Sequence, residues 1–157
     1  MGLAFVLVIA SCKKEDVKQS NTTNNVSTTK ASQWKFINNW SSSKTDSTTT
    51  IYFSKLTDSS ITGDVVKGGL VLLFKKTGDD IQALPFLEKD DKTYWYYQVS
   101  KGSIRINIDN NSGENLNAHS FSYFVVTQQK LSELEANGNT KLDLLQLSYD
   151  QATTILK

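Results

Sequence analysis

The chain has a single histidine, His119, and histidine is the residue that enzymes use most often as a general base. A serine hydrolase places its histidine between a nucleophile and an orienting acid, and Ser120, Ser122 and Asp109 lie near His119 in the sequence. Neither serine stands in the Gly-x-Ser-x-Gly turn that exposes such a nucleophile. We therefore predict that His119 is a loop residue at the entry to a strand, and we assign no catalytic residue.

Paired carboxylates are a second candidate for catalysis, because glycoside hydrolases use two of them as acid and base. Glu88, Asp90 and Asp91 lie close together, but Lys89 and Lys92 are interleaved with them. Acids that alternate with lysines in this way are typical of a solvated loop. The sequence therefore predicts a loop here, and a hydrolase acting on envelope or external polymers stays the alternative function.

The segment Asp109-Asn110-Asn111-Ser112-Gly113-Glu114 has the oxygen-rich composition of a calcium-binding loop. In an EF-hand that begins at Asp109, however, Gly113 takes the fifth position and Ser120 the twelfth, where an oxygen ligand and a bidentate glutamate belong. One histidine and one cysteine are also too few for a zinc site of the usual ligands. We predict a polar loop, with no metal and no cofactor.

The stretch Tyr94-Trp95-Tyr96-Tyr97 is the strongest candidate for ligand binding. Neighbouring residues on a strand point to opposite faces, so two of these rings must lie away from the core. With Tyr94 and Tyr96 packed inward, Trp95 and Tyr97 would face outward, where aromatic rings can stack on sugars or peptides. The alternative, which we favour, is a strand that is covered on both faces.

Six segments have the β-branched, aromatic or alternating composition of strands: 48–53, 70–74, 81–84, 94–99, 104–108 and 121–126. The run 70–74 is apolar throughout, which predicts a strand buried on both faces. In 104–108 the isoleucines alternate with Arg105 and Asn107, so we expect the isoleucines inward. Turn residues separate the strands at 77–80 and 100–103, and the strand 81–84 stops near an edge at Pro85, the only proline. This pattern predicts an antiparallel β-sandwich, with a small closed barrel as the alternative.

Helical signals are fewer. Thr62 is positioned to cap a short helix that ends at Lys67-Gly68. Ser148 and Gln151 form a capping box that opens a carboxy-terminal helix ending near Leu156. Residues 131–136 are predicted to form another short helical turn.

The amino terminus contains the only cysteine, Cys12, directly after a short apolar run. Residues 3–10 have the length of a signal-peptide core and are too short to span a bilayer. The tetrapeptide Ile9-Ala10-Ser11-Cys12 resembles the lipobox of bacterial lipoproteins, which implies cleavage between Ser11 and Cys12 and acylation of Cys12. Met1-Gly2 lacks the positive charge that normally begins a signal peptide. Either the start lies upstream of Met1, or the chain is secreted inefficiently. The alternative is a buried apolar strand of a cytosolic protein.

The composition divides the chain into a signal peptide (1–11), a lipidated flexible tether (12–33) and a single β-rich domain (34–157). The tether is rich in Asn, Thr and Ser and has too few apolar residues to offset the entropy of ordering it. Such tracts can also pair as edge strands, which is the alternative. The 17 basic and 16 acidic residues nearly balance, and this argues against a nucleic-acid partner.

Four motifs follow one another along the chain: Ile51-Tyr52-Phe53-Ser54, Lys67-Gly68, Ala83-Leu84-Pro85-Phe86 and Leu142-Asp143-Leu144. With this order of motifs the chain resembles a group of uncharacterised Bacteroidetes lipoproteins and surface-protein carboxy-terminal domains. The resemblance implies a compact extracytoplasmic β domain, and it carries over no functional residue. Together with Cys12 it predicts an outer-membrane lipoprotein on the cell surface or the periplasmic face. We expect a non-enzymatic binding or structural module of the envelope, held in the lipid bilayer through Cys12, whose partner is a glycan, a peptide or an envelope protein.

Overall fold

The computed structural model of the chain describes residues 27–44, 50–89, 92–110, 116 and 119–156. The predicted signal peptide, its cleavage site at Ser11 and Cys12, and most of the predicted tether lie outside these residues. Asp90, Asp91 and residues 111–115 lie outside them too. The chain is mainly β, with two antiparallel sheets rather than a closed barrel, which confirms the predicted β-sandwich.

The first sheet contains β1 (Thr29–Ala31), β2 (Lys35–Phe36), β5 (Leu70–Thr77), β6 (Asp80–Ala83) and β10 (Ser120–Val126). Its order is β1-β10-β5-β6, and β2 pairs with the other end of β10. We term it the covered sheet, because both of its faces are packed. As predicted, residues 70–74 of β5 are all buried.

The second sheet contains β3 (Ser41–Lys44), β4 (Thr50–Thr57), β7 (Phe86–Leu87), β8 (Thr93–Ser100) and β9 (Ser103–Asn110), in the order β3-β4-β9-β8-β7. We term it the open sheet. The three isoleucines of β9 are fully buried between the sheets, while Arg105 and Asn107 lie on the opposite face, as predicted.

Four helices complete the described fold: α1 (Gly63–Gly68), α2 (Gln128–Ala136), α3 (Lys141–Leu145) and α4 (Tyr149–Ile155). The predicted caps are confirmed, because the Thr62 and Ser148 side chains accept hydrogen bonds from the Val65 and Gln151 backbones. Helix α2 begins earlier than predicted, because Thr127 caps it and accepts from the Lys130 backbone. No helix in the described part of the chain has the length and apolar composition needed to cross a bilayer.

Two apolar cores stack these elements in three layers. One core lies between the sheets and contains Val71, Leu73, Trp95, Ile106 and Phe121. The other lies between the covered sheet and the helices α2, α3 and α4, and its buried members include Leu72, Phe124, Leu134, Leu144 and Leu156. The helices, the covered sheet and the open sheet are therefore stacked in that order, and neither core reaches the far side of the open sheet.

Two predicted hairpins are confirmed. Gly78 turns β5 into β6 and Gly102 turns β8 into β9, with φ of 60° and 77°, a region that glycine enters without steric cost. After β6, a cis peptide bond between Leu84 and Pro85 carries the chain from the covered sheet to β7 in the open sheet. Pro85 therefore lies at a strand end, as its lack of an N–H donor led us to expect.

The tether prediction is wrong for residues 29–31, which form β1 and pair with β10, with Thr29 opposite Val126. The alternative of an edge strand applies here. Its physical cause is the edge of β10, whose N–H and C=O groups would lack strand partners without β1. The Lys30 ammonium also donates to Asp58 at 2.9 Å, so the folded domain begins before the predicted boundary at Trp34.

Candidate functional site

The orientation of β8 is the reverse of the one considered for Trp95 and Tyr97. Trp95 is completely buried in the core between the sheets. Tyr97 faces the same core, and its hydroxyl donates to the Val71 carbonyl at 2.6 Å. Burial raises the pKa of Tyr97 to about 12. Both side chains face the core, so the outward orientation considered for Trp95 and Tyr97 is wrong. The favoured alternative is not confirmed either, because Tyr94 on the other face of β8 is 41% exposed.

The residues that do face outward form a continuous surface on the open sheet, which we term the outer face. The strand register places its side chains in three rows: Leu87, Tyr94, Asp109 and Ile51; Tyr96, Asn107 and Phe53; and Gln98, Arg105 and Lys55. Within the described residues no helix or sheet packs over these rows. The outer face is therefore a surface of the sandwich that the described layers leave open.

One end of the outer face is aromatic and apolar. The rings of Tyr94 and Tyr96 stack on each other, with centroids 5.4 Å apart and planes 17° apart. Tyr94 is 41% exposed, and its cross-strand neighbour Leu87 is 53% exposed. Sequence reasoning missed this pair, although Gln98 gave a signal. It shares the strand parity of Tyr94 and Tyr96, and a polar residue marks the solvent side of a half-buried strand.

The other end of the outer face is basic. The Arg105 guanidinium lies 3.9 Å from the centre of the Phe53 ring, and its Nε donates to Asn107 Oδ1 at 3.0 Å. Asn107 is only 2% exposed, and its amide donates back to the Arg105 carbonyl at 3.3 Å. Lys55 is exposed directly opposite Arg105 on β4. The guanidinium is therefore held in one orientation beside a second cation.

Asp109 supplies an acceptor at the aromatic end. Its Oδ1 is shielded from solvent and has no hydrogen-bond partner among the described residues. A shielded carboxylate oxygen without a donor is unfavourable, and such atoms are rare in folded proteins. Asp109 was considered above as a calcium ligand, but the described part of the chain has no group of three or more side chains able to hold a metal ion.

A second cluster lies inside the sandwich around Lys75, which is only 4% exposed. Its ammonium forms an ion pair with Glu88 at 2.5 Å. It also lies 4.2 Å from the Trp95 ring and 4.9 Å from the Phe86 ring, and these two rings are nearly parallel. The predicted solvated loop is therefore wrong for Glu88, because this carboxylate neutralises a buried cation.

His119 lies at the entry to β10, as predicted, but it is buried. Its Nδ1 lies 2.8 Å from the Thr77 hydroxyl, and its ring meets the Trp95 ring edge-on at 4.9 Å. Burial and then the positive charge of Lys75 lower the pKa of His119 to about 4, against a smaller opposing effect of Glu88. Ser122, a candidate nucleophile, donates its hydroxyl hydrogen bond to the Ser32 carbonyl at 3.1 Å. His119 is therefore neutral at pH 7 and belongs to the core.

Asp58 forms a third polar cluster, which joins β1 to the rest of the domain. Burial by itself would raise the pKa of Asp58, but hydrogen bonds from Lys30, Ser60 and Tyr123 outweigh it and hold the pKa well below its usual range. Burial and the Asp58 carboxylate in turn raise the pKa of Tyr123. This cluster is fully hydrogen-bonded and has a structural role.

We predict that the folded chain loses stability as the pH falls from about 6.5 to about 4. In this window the unfolded chain protonates His119, while the folded chain keeps it neutral, so acid favours unfolding. His119 by itself contributes at most about 1.4 kcal/mol per pH unit to this slope, which corresponds to one proton. Urea unfolding at several pH values measures it.

A His119→Gln variant is the control for this pH dependence, because it has no imidazole to protonate. Its free energy of unfolding should vary less with pH between 6.5 and 4 than that of the parent chain. Asp58 adds to the pH dependence only at lower pH. Because its pKa is depressed in the folded chain, its stabilisation is lost only as the pH falls below the pKa it has in the unfolded chain. Equal slopes for both proteins between pH 6.5 and 4 would contradict the description of His119.

Two shallow grooves lie away from the outer face. One of about 180 Å³ is lined by Ala31, Phe124 and Leu156, and one of about 190 Å³ by Val66 and Tyr97 among others. Both are smaller than the roughly 300–1,000 Å³ of typical small-molecule sites. We take the outer face as the candidate functional site because it combines the rings of Tyr94 and Tyr96 with the cations Arg105 and Lys55.

Comparison with known protein families, curated proteins and solved structures finds no match for this chain. The resemblance to Bacteroidetes lipoproteins accordingly stays a prediction from the sequence.

Proposed function

We propose that this chain is a lipid-anchored binding module of a bacterial cell envelope, and that it holds a glycan chain on the outer face of the open sheet. The observation that carries the proposal is the stacked ring pair of Tyr94, which is exposed, and Tyr96, which is half-buried. The pair lies beside Asp109 and Asn107 of β9 on a sheet surface that no described layer covers. Aromatic rings supply contact area at low entropic cost, and polar groups among them supply hydrogen bonds for hydroxyl-rich ligands.

A glycan fits the outer face better than a peptide. Peptides commonly bind by adding a strand to an exposed sheet edge or by placing a helix in an apolar groove. The rows of the outer face lie mainly on β4, β9 and β8. The central strand β9 pairs with β4 on one side and with β8 on the other along nearly its whole length, whereas β7 flanks β8 only at Tyr94 and Trp95. The backbone groups of β9 are therefore occupied, so side chains must recognise a ligand at the centre of the outer face.

A lipid anchor at Cys12 would not obstruct the outer face. Under the proposal Cys12 carries the acyl chains, and the following residues lead to β1 in the covered sheet. The outer face belongs to the other sheet and points away from the covered sheet. A ligand on the outer face would therefore not compete with β1 for space. Outer-membrane attachment, on the surface or the periplasmic face, is part of the proposal.

No observation favours the alternative hydrolase. His119 is buried against Trp95, and the carboxylate of Glu88 is paired with Lys75. Asp90 and Asp91 lie outside the described residues. The outer face offers Asp109 as its one described acid, and a glycosidase of the common kind needs two.

A glycan array probed with the full chain in a detergent without sugar groups tests the proposed function. We expect binding to a set of polysaccharides, and we expect Tyr94→Ala to weaken it about tenfold, which is the scale of one lost aromatic stacking contact. Phe36→Ala is the matched control, because Phe36 is 61% exposed but belongs to the covered sheet. An array without bound glycans, or equal binding by the two variants, would contradict the proposal.

A further inference from the structure

Two cations lie side by side at the basic end of the outer face. Arg105 and Lys55 are directly opposite each other on β9 and β4, and both are exposed. Like charges in such cross-strand pairs destabilise a sheet. The ion pairs found among the described residues involve other side chains, so neither cation is neutralised there. A pair of like charges that weakens the sheet is expected at a site where an anionic ligand binds, because the ligand neutralises the repulsion.

Arg105 is also held ready for such a ligand. The Phe53 ring supports its guanidinium, and Asn107 accepts from its Nε. This leaves the two terminal nitrogens of the exposed Arg105 side chain as donors for a ligand. A planar guanidinium with a fixed orientation binds a carboxylate through two parallel hydrogen bonds, which is stronger and more specific than contact with a mobile charge.

We infer that Arg105 and Lys55 form an anion-binding site and that the glycan held on the outer face is acidic, with carboxylate groups of the kind that uronic acid units carry. The inference rests on the proposed function and names the ligand class for the same surface. Tyr96 and Arg105 are one strand apart and two residues apart in register, about 5 Å across and about 7 Å along the sheet. A short oligosaccharide can therefore contact both the ring pair and the cation pair.

The charges on the outer face also orient this ligand. Asp109 lies four residues from Arg105 along β9, which is about 13 Å. A carboxylate of the ligand is attracted to the Arg105 end and repelled from the Asp109 end. The acidic group thus belongs over Arg105 and Lys55, and the hydroxyl-rich part over Tyr94 and Asp109.

Calorimetric titration of the full chain with an oligouronate, and with the same oligosaccharide after its carboxyls are reduced to alcohols, tests the inference. We expect the acidic form to bind at least tenfold more tightly, and added salt to weaken only that form. Arg105→Gln should remove this preference, so that the acidic and the reduced form bind with similar affinity. Arg105→Lys should keep part of it, because the charge stays while the paired hydrogen bonds are lost.

Lys101→Gln is the matched control, since Lys101 is an exposed lysine in the turn between β8 and β9, and its removal should change neither affinity. Equal binding of both forms by the parent chain, or an unchanged preference in Arg105→Gln, would overturn the acidic ligand while the proposed glycan module still stands. Tighter binding of a sulfated chain than of the uronate would also overturn the carboxylate assignment. Failure to bind any glycan would overturn both proposals.

Discussion

Replacing Trp95 with alanine is expected to lower the free energy of unfolding by about 3–5 kcal/mol, the usual range for a buried tryptophan. Trp95 is completely buried, and its ring contacts four others: Phe86, Trp40, Phe121 and His119. The substitution removes these contacts and leaves a cavity that the rigid sheets fill only in part. Since a domain of this size is stable by about 5–15 kcal/mol, urea unfolding should detect the loss easily.

Tyr94→Ala is the control for Trp95→Ala, because it removes a large aromatic ring from the adjacent position of the same strand. Tyr94 is 41% exposed, so its loss should change the free energy of unfolding by about 1 kcal/mol or less. The pair of variants therefore tests which face of β8 lies in the core. A larger loss for Tyr94→Ala than for Trp95→Ala would reverse that orientation and place the outer face on the wrong side.

The orientation of β8 shows where sequence patterns stop being informative. Aromatic composition predicts that 94–99 is a strand, but aromatic residues at four consecutive positions fit either face equally well. The neighbouring polar residue Gln98 marks the solvent side, and Thr93 and Val99 lie on the side of Trp95. In β9 the choice is clear because isoleucines alternate with Arg105 and Asn107, and there the predicted orientation is confirmed.

The strands, hairpins and helix caps could be predicted because local chemistry determines them. Gly78 and Gly102 permit their turns, and Thr62 and Ser148 satisfy the first backbone donors of their helices. The short strand β1 could not be predicted in this way. Its residues are polar and mostly exposed, and it is a strand because β10, distant in the sequence, offers an edge to pair with.

The polar clusters also depend on contacts between distant residues. Lys75 looks like the polar end of an apolar strand, and Glu88 like part of a charged loop. They meet only because the chain crosses from one sheet to the other at Leu84 and Pro85, which brings Glu88 beside β5. The same layering explains the outer face. The helices all pack on the covered sheet or at its margin, so the aromatic and basic side chains of the open sheet stay accessible.

Replacing Glu88 with glutamine is expected to lower the free energy of unfolding by about 2 kcal/mol, because it leaves the buried ammonium of Lys75 without a counter-charge. This is below the roughly 3–5 kcal/mol of a fully buried pair, since Glu88 keeps a quarter of its side chain exposed to solvent. Adding Lys75→Met to Glu88→Gln should recover most of the loss. Methionine fills the space between Trp95 and Phe86 without a charge to desolvate.

His119 provides an independent measurement of the same cluster, because the chain has only one histidine and its ring signals can be followed by NMR. The Lys75 charge lowers the pKa of His119 and the Glu88 charge raises it. Lys75→Met alone should therefore raise the pKa of His119, and Glu88→Gln alone should lower it. Shifts in the same direction, or a double variant no more stable than Glu88→Gln, would contradict a buried ion pair between Lys75 and Glu88 beside His119.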